Sequence, residues 1–323
     1  MGRAFAALLA AVLLLASAPG RGAEAPPPIV VHAGKADSLN HALALQFAEA
    51  VAQGNIALTV QVEESQGSVQ NIIDAAHAGG LFVFTTTPNL IAQARRGDKP
   101  FERSRQYRDI RALFPIPVQT LHWVVRADSD VERLPDLAGR AFVPGAKGSF
   151  GERQTASVLL ALGLEQRVQL IDIDPAGARA AFAGNQVVGI ALAGTFPMTA
   201  VNELAKTTPI RLLSLAREDL AKVLATDDSI VAETIPKKTY PGQDEDIVSV
   251  ALPAGAYATT EMSNQTAYAI TKAFWSQKWA LAQRNPPWNS VTPASLATLG
   301  VRLHEGALRY YREAGVKVPA ATR

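Results

Sequence analysis

The sequence predicts an α/β protein made of two units and a helical tail. Three observations lead there. First, short apolar or alternating runs are followed by polar turns and then by segments of helical periodicity. This triplet recurs, as it does in chains that build a mostly parallel sheet with helices packed on it. Second, the pattern starts afresh in a middle block with its own strands and Gly-rich turns. Third, from Ser263 onward helical signals replace strand signals. With 323 residues, 48% hydrophobic and 19% charged, the chain can bury more core than one ordinary domain holds and is not disordered in composition.

The elements follow in order. After the stiff Pro26-Pro27-Pro28, Ile29 to Ala33 is an apolar strand broken at Gly34. Asp37 or Ser38 can cap a helix whose apolar face is Leu39, Leu43, Phe47, Ala50 and Val51. Ile56 to Val62 alternates as a strand, the polar turn Glu63 to Ser68 follows, and Val69, Ile72, Ile73 and Ala76 form one helix face. Leu81 to Phe84 is a third strand, ending in Thr85-Thr86-Thr87-Pro88. In the middle block, His122 to Arg126, Ala141 to Val143, Val168 to Ile171, Val187 to Leu192 and Arg211 to Leu215 are strands. A helix opens after Pro144 to Gly151 and stops at Gly163, and another spans Ala176–Ala183. Ile247 to Leu252 is extended, and Ser263–Arg284 and Pro293–Ala314 are mainly helical.

The N-terminus has the composition of an export segment. Arg3 supplies a positive charge, Ala4 to Leu15 is an apolar run too short to span a bilayer, and small residues follow. A signal peptide over residues 1–23 is expected, with Ala16-Ser17-Ala18 as the competing cleavage point. No later run is long and apolar enough for a membrane helix, so a soluble periplasmic product is expected, without stable membrane insertion. The absence of cysteine excludes disulfides, thiolate catalysis and attachment through a lipidated cysteine. Without Arg3 and Arg21, the 31 basic residues fall to 29, equal to the 29 acidic ones. No basic block with interleaved aromatics marks the chain for nucleic acid.

Several segments, in order, carry a resemblance. They are Val62 to Asn71, Arg126-Ala127-Asp128-Ser129 with Leu134 to Arg140, Gly148-Ser149, Ala193 to Pro197, and Tyr240 to Asp246. The chain resembles the TAXI-type solute receptors of tripartite (TRAP) transporters across nearly all of its mature length. It departs from them where Ser38, Asn40 and His41 stand in place of a glycine and paired tyrosines, at His77-Ala78-Gly79-Gly80, at Thr87 and at Phe150. These departures fall where ligand contacts are expected. The resemblance implies a type II periplasmic-binding-protein fold with two mixed sheets flanked by helices. Lobe 1 would comprise residues 26–120 plus 252–323, and lobe 2 residues 121–251. Two chain crossings, near Leu121–Val125 and Val248–Leu252, would act as a hinge.

Open α/β sheets bind ligands at the carboxyl ends of their strands, and helix N-termini there favour anions. The candidate ligand residues are therefore Lys35, Ser38, Asn40 and His41 in the first turn and Gln66, Gly67, Ser68 and Asn71 in the second. Thr86, then Lys147, Gly148, Ser149 and Phe150, and finally Gly194 and Thr195 complete the set. Lys35 and Lys147 are the candidate countercharges. Ser68 and Ser149 have a competing role as helix caps, and Glu152 stands three residues after Ser149 with capping-box spacing. Asn71 is expected to point its amide back into the cleft. His41 is either a polar wall residue or a surface histidine.

Enzymatic signatures are missing. The histidines at 32, 41, 77, 122 and 304 have no metal-ligand spacing, and neither a nucleophile elbow nor a P-loop occurs. Asp244-Glu245-Asp246 is either a solvated loop or a cation holder. The expected function is capture of a small organic anion, a carboxylate or amino acid, between two lobes, without cofactor or catalysis. Delivery would be to TRAP membrane subunits. The alternatives are a sensor that passes its closed form to a signalling receptor, or a periplasmic enzyme using the same cleft.

Overall fold

A computed structural model describes residues 27–322 apart from 55 and 57. The expected signal peptide lies outside the described residues. Among those described, no helix is long and apolar enough to cross a membrane.

The first half opens with β1 (Ile29–Gly34), α1 (Leu39–Gln53), β2 (Val60–Glu64), α2 (Ser68–Ala75), β3 (Phe82–Thr86) and α3 (Pro88–Arg96). α3 starts at the proline that ends the third strand signal. Proline at the first helical position is preset for helix entry, so the residue that reads as a break is also a start. β4 (Ile110–Arg126) then runs out of this half. The second half holds β5 (Ala141–Val143), α4 (Phe150–Ala161), β6 (Gln169–Leu170), α5 (Pro175–Ala183), β7 (Gly189–Gly194), α6 (Thr199–Thr207), β8 (Ile210–Leu212), α7 (Arg217–Thr226) and β9 (Val231–Ile235). β10 (Ile247–Thr259) returns to the first half, where α8 (Asn264–Arg284) and α9 (Glu305–Glu313) finish the chain.

The strands are ordered β2-β1-β3-β10-β4-β7-β5-β6, with β8 on β4 and β9 on β10. The two expected mixed sheets are the two ends of this one curled ladder, because β4 and β10, 17 and 13 residues long, serve both ends. Their pairing runs from Thr259↔Ile110 to Ala251↔Thr120 and shifts register between Leu252 and Ala254, where Pro253 and Pro117 fall. Proline has no N–H to give a ladder, so both sit where pairing is already irregular. Pro115 and Pro117 hide the first half of β4 from a strand reading that begins at His122.

The buried side chains divide at this crossing. One apolar cluster draws on residues 29–116 and 254–318. The other two draw on residues 121–250 and lie on opposite faces of the sheet. Trp123 and Val125 enter one and Val124 the other. Phe142 and Val143 divide likewise, as the two-residue pleat requires.

The tail differs from a single helix over Pro293–Ala314. A 3₁₀ turn spans Pro293–Thr298, Gly300 takes φ 67°, and Leu303 bridges to Ala112 of β4 before α9 begins. His304 caps α9, its Nδ1 accepting from the Gly306 N–H at 3.2 Å. The chain must return to the sheet edge, and that closes the first helical stretch early.

Candidate functional site

Strand direction determines where a ligand would meet the sheet. β3 runs antiparallel to β10 and ends with Thr86 opposite Gly255, at the crossing. β1 and β2 are parallel to β3, so their carboxyl ends point the same way. In the second half β7 runs antiparallel to β4 and ends with Gly194 opposite Thr120, and β5 is parallel to it. All five strands therefore end facing the band where β4 and β10 cross. Every candidate residue lies on these ends or in the turns and helix starts that follow them.

A cleft of about 730 Å³ lies on this band. Leu39, Gln46, Gln119 and Arg284–Pro287 line it from the first half; Ala193–Thr195, Met198 and Asn202 line it from the second. Of the predicted residues it takes in Gly194 and Thr195 and lies beside the Ser38–Asn40 turn; it does not include the 66–71 or 147–150 turns. Arg284 is its only ionisable lining residue. Sequence reasoning missed Gln46, Gln119, Asn202 and Arg284. They come from four separate stretches of chain, and Arg284 reads only as a helix end. Gln46 is held in place because its Oε1 accepts from Trp288 Nε1 at 2.8 Å.

The helix starts around this band differ. Ser38 caps α1, its Oγ accepting from the His41 N–H at 3.2 Å. At α4, Ser149 Oγ accepts from the Glu152 N–H at 3.1 Å, and Glu152 Oε2 accepts from the Gly148 N–H at 2.5 Å. The serine half of the expected box forms, but the return bond from Glu152 goes to Gly148, one residue before the cap, so a carboxylate occupies that turn N–H. Lys147 is exposed, and its Nζ donates to Asp172 at 2.7 Å, which raises its pKa above the usual lysine range. Its charge already has a partner, so it is no ready countercharge. Lys35 and Gln66 are exposed. α2 starts without a side-chain cap, as do α3 and α6: Gly67, at φ 110° and ψ −174°, offers no side chain, and no atom lies within 4 Å of where its Cβ would be. The backbone of Ser68 and its neighbours therefore has room for a ligand to approach.

Asn71 departs from expectation. Its Nδ2 donates to the carbonyl oxygens of His32 (3.2 Å) and Thr85 (2.9 Å), fastening α2 to β1 and β3, while Oδ1 is buried without a partner. His41 is a buried residue, not a surface one, and its Nδ1 also lacks a hydrogen-bond partner. Thr86 Oγ1 and Thr120 Oγ1 share that state. Buried polar atoms are mostly paired, so four such atoms on helices and strands leading into one band set it apart from ordinary core.

The second-half wall of the cleft is braced by a pair no local pattern shows. His122 Nδ1 donates to the Thr120 carbonyl at 3.0 Å, which leaves Nε2 to accept from the Tyr240 hydroxyl at 2.8 Å. That hydroxyl in turn accepts from the Met198 N–H at 2.8 Å, holding the 194–198 turn. Burial pushes the His122 pKa down to about 4 and the Tyr240 pKa up, so both are neutral in the fold. The Asp244–Asp246 run is occupied locally: Asp244 pairs with Lys238, and Asp246 accepts from the Lys237 N–H at 2.8 Å. No His, Asp and Glu group suited to a metal occurs among the described residues.

A family model described as the NMT1-like family matches residues 39–315. The chain belongs to the NMT1-like family. Its fold is also that of a TctC solute-binding protein from Polaromonas, with a TM-score of 0.58 at 16% identity over 89% of this chain and 98% of that one. Looser likenesses are to MatC from Rhodopseudomonas palustris with bound malate (TM-score 0.46, 13% identity, 90% and 99% covered) and to the Escherichia coli aliphatic sulphonate binding protein SsuA (0.44, 16%, 89% and 83%). The first of these establishes the periplasmic-binding-protein fold for this member of the NMT1-like family. The other two carry no argument about it.

Proposed function

We propose that the protein is an exported solute receptor of the TAXI type that captures a small organic anion, a carboxylate or amino acid, and delivers it to TRAP membrane subunits. The reading rests on one observation above all: strand ends from both halves converge on a cleft whose sole ionisable lining residue is a cation, Arg284. A guanidinium offers paired donors that match a carboxylate. The uncapped start of α2 offers further N–H groups to the same kind of ligand. Residues 26–120 plus 252–323 form one lobe and residues 121–251 the other. The irregular pairing at Pro117 and Pro253 is the hinge, and ligand contact with both lobes favours the closed state. No bond is broken.

Thermal-shift screening of organic acids and amino acids against their uncharged amides tests this. Carboxylates should raise the melting temperature and the amides should not. Arg284→Gln should lower the affinity for any hit by about tenfold or more. A library without a stabilising acid, or a hit indifferent to Arg284, would sink the reading.

A further inference from the structure

The segment from Arg95 to Arg111 carries six arginines, separated in sequence by Asp98, Glu102 and Asp109. Folding gathers five of them. Arg95, Arg96, Arg103, Arg105 and Arg108, with Ser104, line one depression of about 310 Å³. It lies far from the cleft. Arg108 precedes the start of β4 at Ile110, which pairs with Thr259 at the outer end of β10, whereas the cleft lies at the level of Thr120. Ten strand residues separate the two levels, about 33 Å.

The depression is built, not a chance crowding of long side chains. Arg95 is half-buried, and its guanidinium is fixed by donating Nε to the Tyr107 carbonyl (3.2 Å) and one terminal nitrogen to the Ile110 carbonyl (3.1 Å). Gly97 ends α3 at φ 74°, and a Cβ there would collide with Arg103 Cγ, so glycine lets Arg103 lie against the helix end. Arg96 pairs with Asp98 at 2.6 Å. Arg103, Arg105 and Arg108 make no ion pair among the described residues. Burial, and secondarily the charge of Arg111, lowers the Arg95 pKa.

We infer that this arginine depression is a second anion site, one that takes a phosphate group. A carboxylate offers one charge and two oxygens, too little for several convergent guanidinium forks. A phosphate carries more charge and offers three or more acceptor oxygens. The group can arrive as free phosphate or on the phosphomonoester headgroup of a lipid such as phosphatidic acid. The inference does not rest on the cleft or on what it binds.

The test uses two probes on the full mature chain: inorganic phosphate, followed by calorimetric titration, and co-sedimentation with phosphatidylcholine vesicles with and without phosphatidic acid. The working variant is Arg103→Gln with Arg105→Gln and Arg108→Gln, all exposed positions. Arg105→Glu alone is the fallback should the triple variant fold poorly. Lys206→Gln with Arg217→Gln and Lys222→Gln removes the same charge from the other half. At least one probe should bind the wild type and the control. Its affinity should fall at least about tenfold in the arginine variants, with Arg284→Gln without effect. Phosphate binding identifies a free-anion site, and binding only to phosphatidic acid vesicles identifies a headgroup site. The inference is overturned if neither probe binds, if the arginine variants bind as the wild type does, or if the control loses as much as they do.

Discussion

Single residues carry most of the site's geometry, and two have measurable consequences. Gly67 holds backbone angles essentially closed to residues with a Cβ, in open space. Gly67→Ala should therefore cost about 1–3 kcal/mol through strain rather than collision, read as a lower urea midpoint with an unchanged slope. His122 responds to pH. An unfolded histidine takes up a proton near pH 6.5, while the folded one resists until about pH 4. Across that window the unfolded state binds more protons, so stability falls with falling pH, by up to about 3 kcal/mol once both values are passed. Melting temperatures between pH 7 and 4 should show this loss, and His122→Gln should flatten it. The sequence could suggest Gly67, since glycine before a polar helix start has few other uses. It could not suggest the His122–Tyr240 contact, because 118 residues lie between the partners.

Among elements, α2 differs from α1 and α4. Those two begin on serine caps, and the Glu152 carboxylate of α4 also accepts from the Gly148 N–H. Two similar turns, Gly67-Ser68 and Gly148-Ser149, thus fold into unlike helix starts, one open and one closed by its own side chains. Asn71 is what sets α2 on the ends of β1 and β3. Asn71→Ala removes two buried hydrogen bonds and should cost about 2–3 kcal/mol, with faster hydrogen exchange confined to α2 and the ends of those two strands. α1, β3 and α8 were legible from their apolar runs. α3, α6, α7 and β9 were not read. α7 buries only Val223 and β9 fully buries only Ile235, so neither carries a clear apolar stripe.

At the scale of the whole molecule, the proposed receptor function predicts a change of shape. With a stabilising acid identified by thermal shift, small-angle scattering should show a smaller radius of gyration on its addition. Arg284→Gln, given the same concentration, should stay expanded. An unchanged radius in the wild type would mean the halves do not close. Taken alone, the sequence determined that this is an α/β chain, and it placed all fifteen candidate residues at strand ends or the turns and helix starts after them. Those properties follow from local periodicity and turn chemistry, which act within a dozen residues. Tertiary structure decided the rest: one ladder joining both halves through β4 and β10, Arg284 in the cleft, Lys147 spent on Asp172, and the arginines of one loop drawn into a single depression. Each of these is a meeting of groups distant in sequence, set by where long strands and helix ends lie once the core is buried, and no local pattern encodes it.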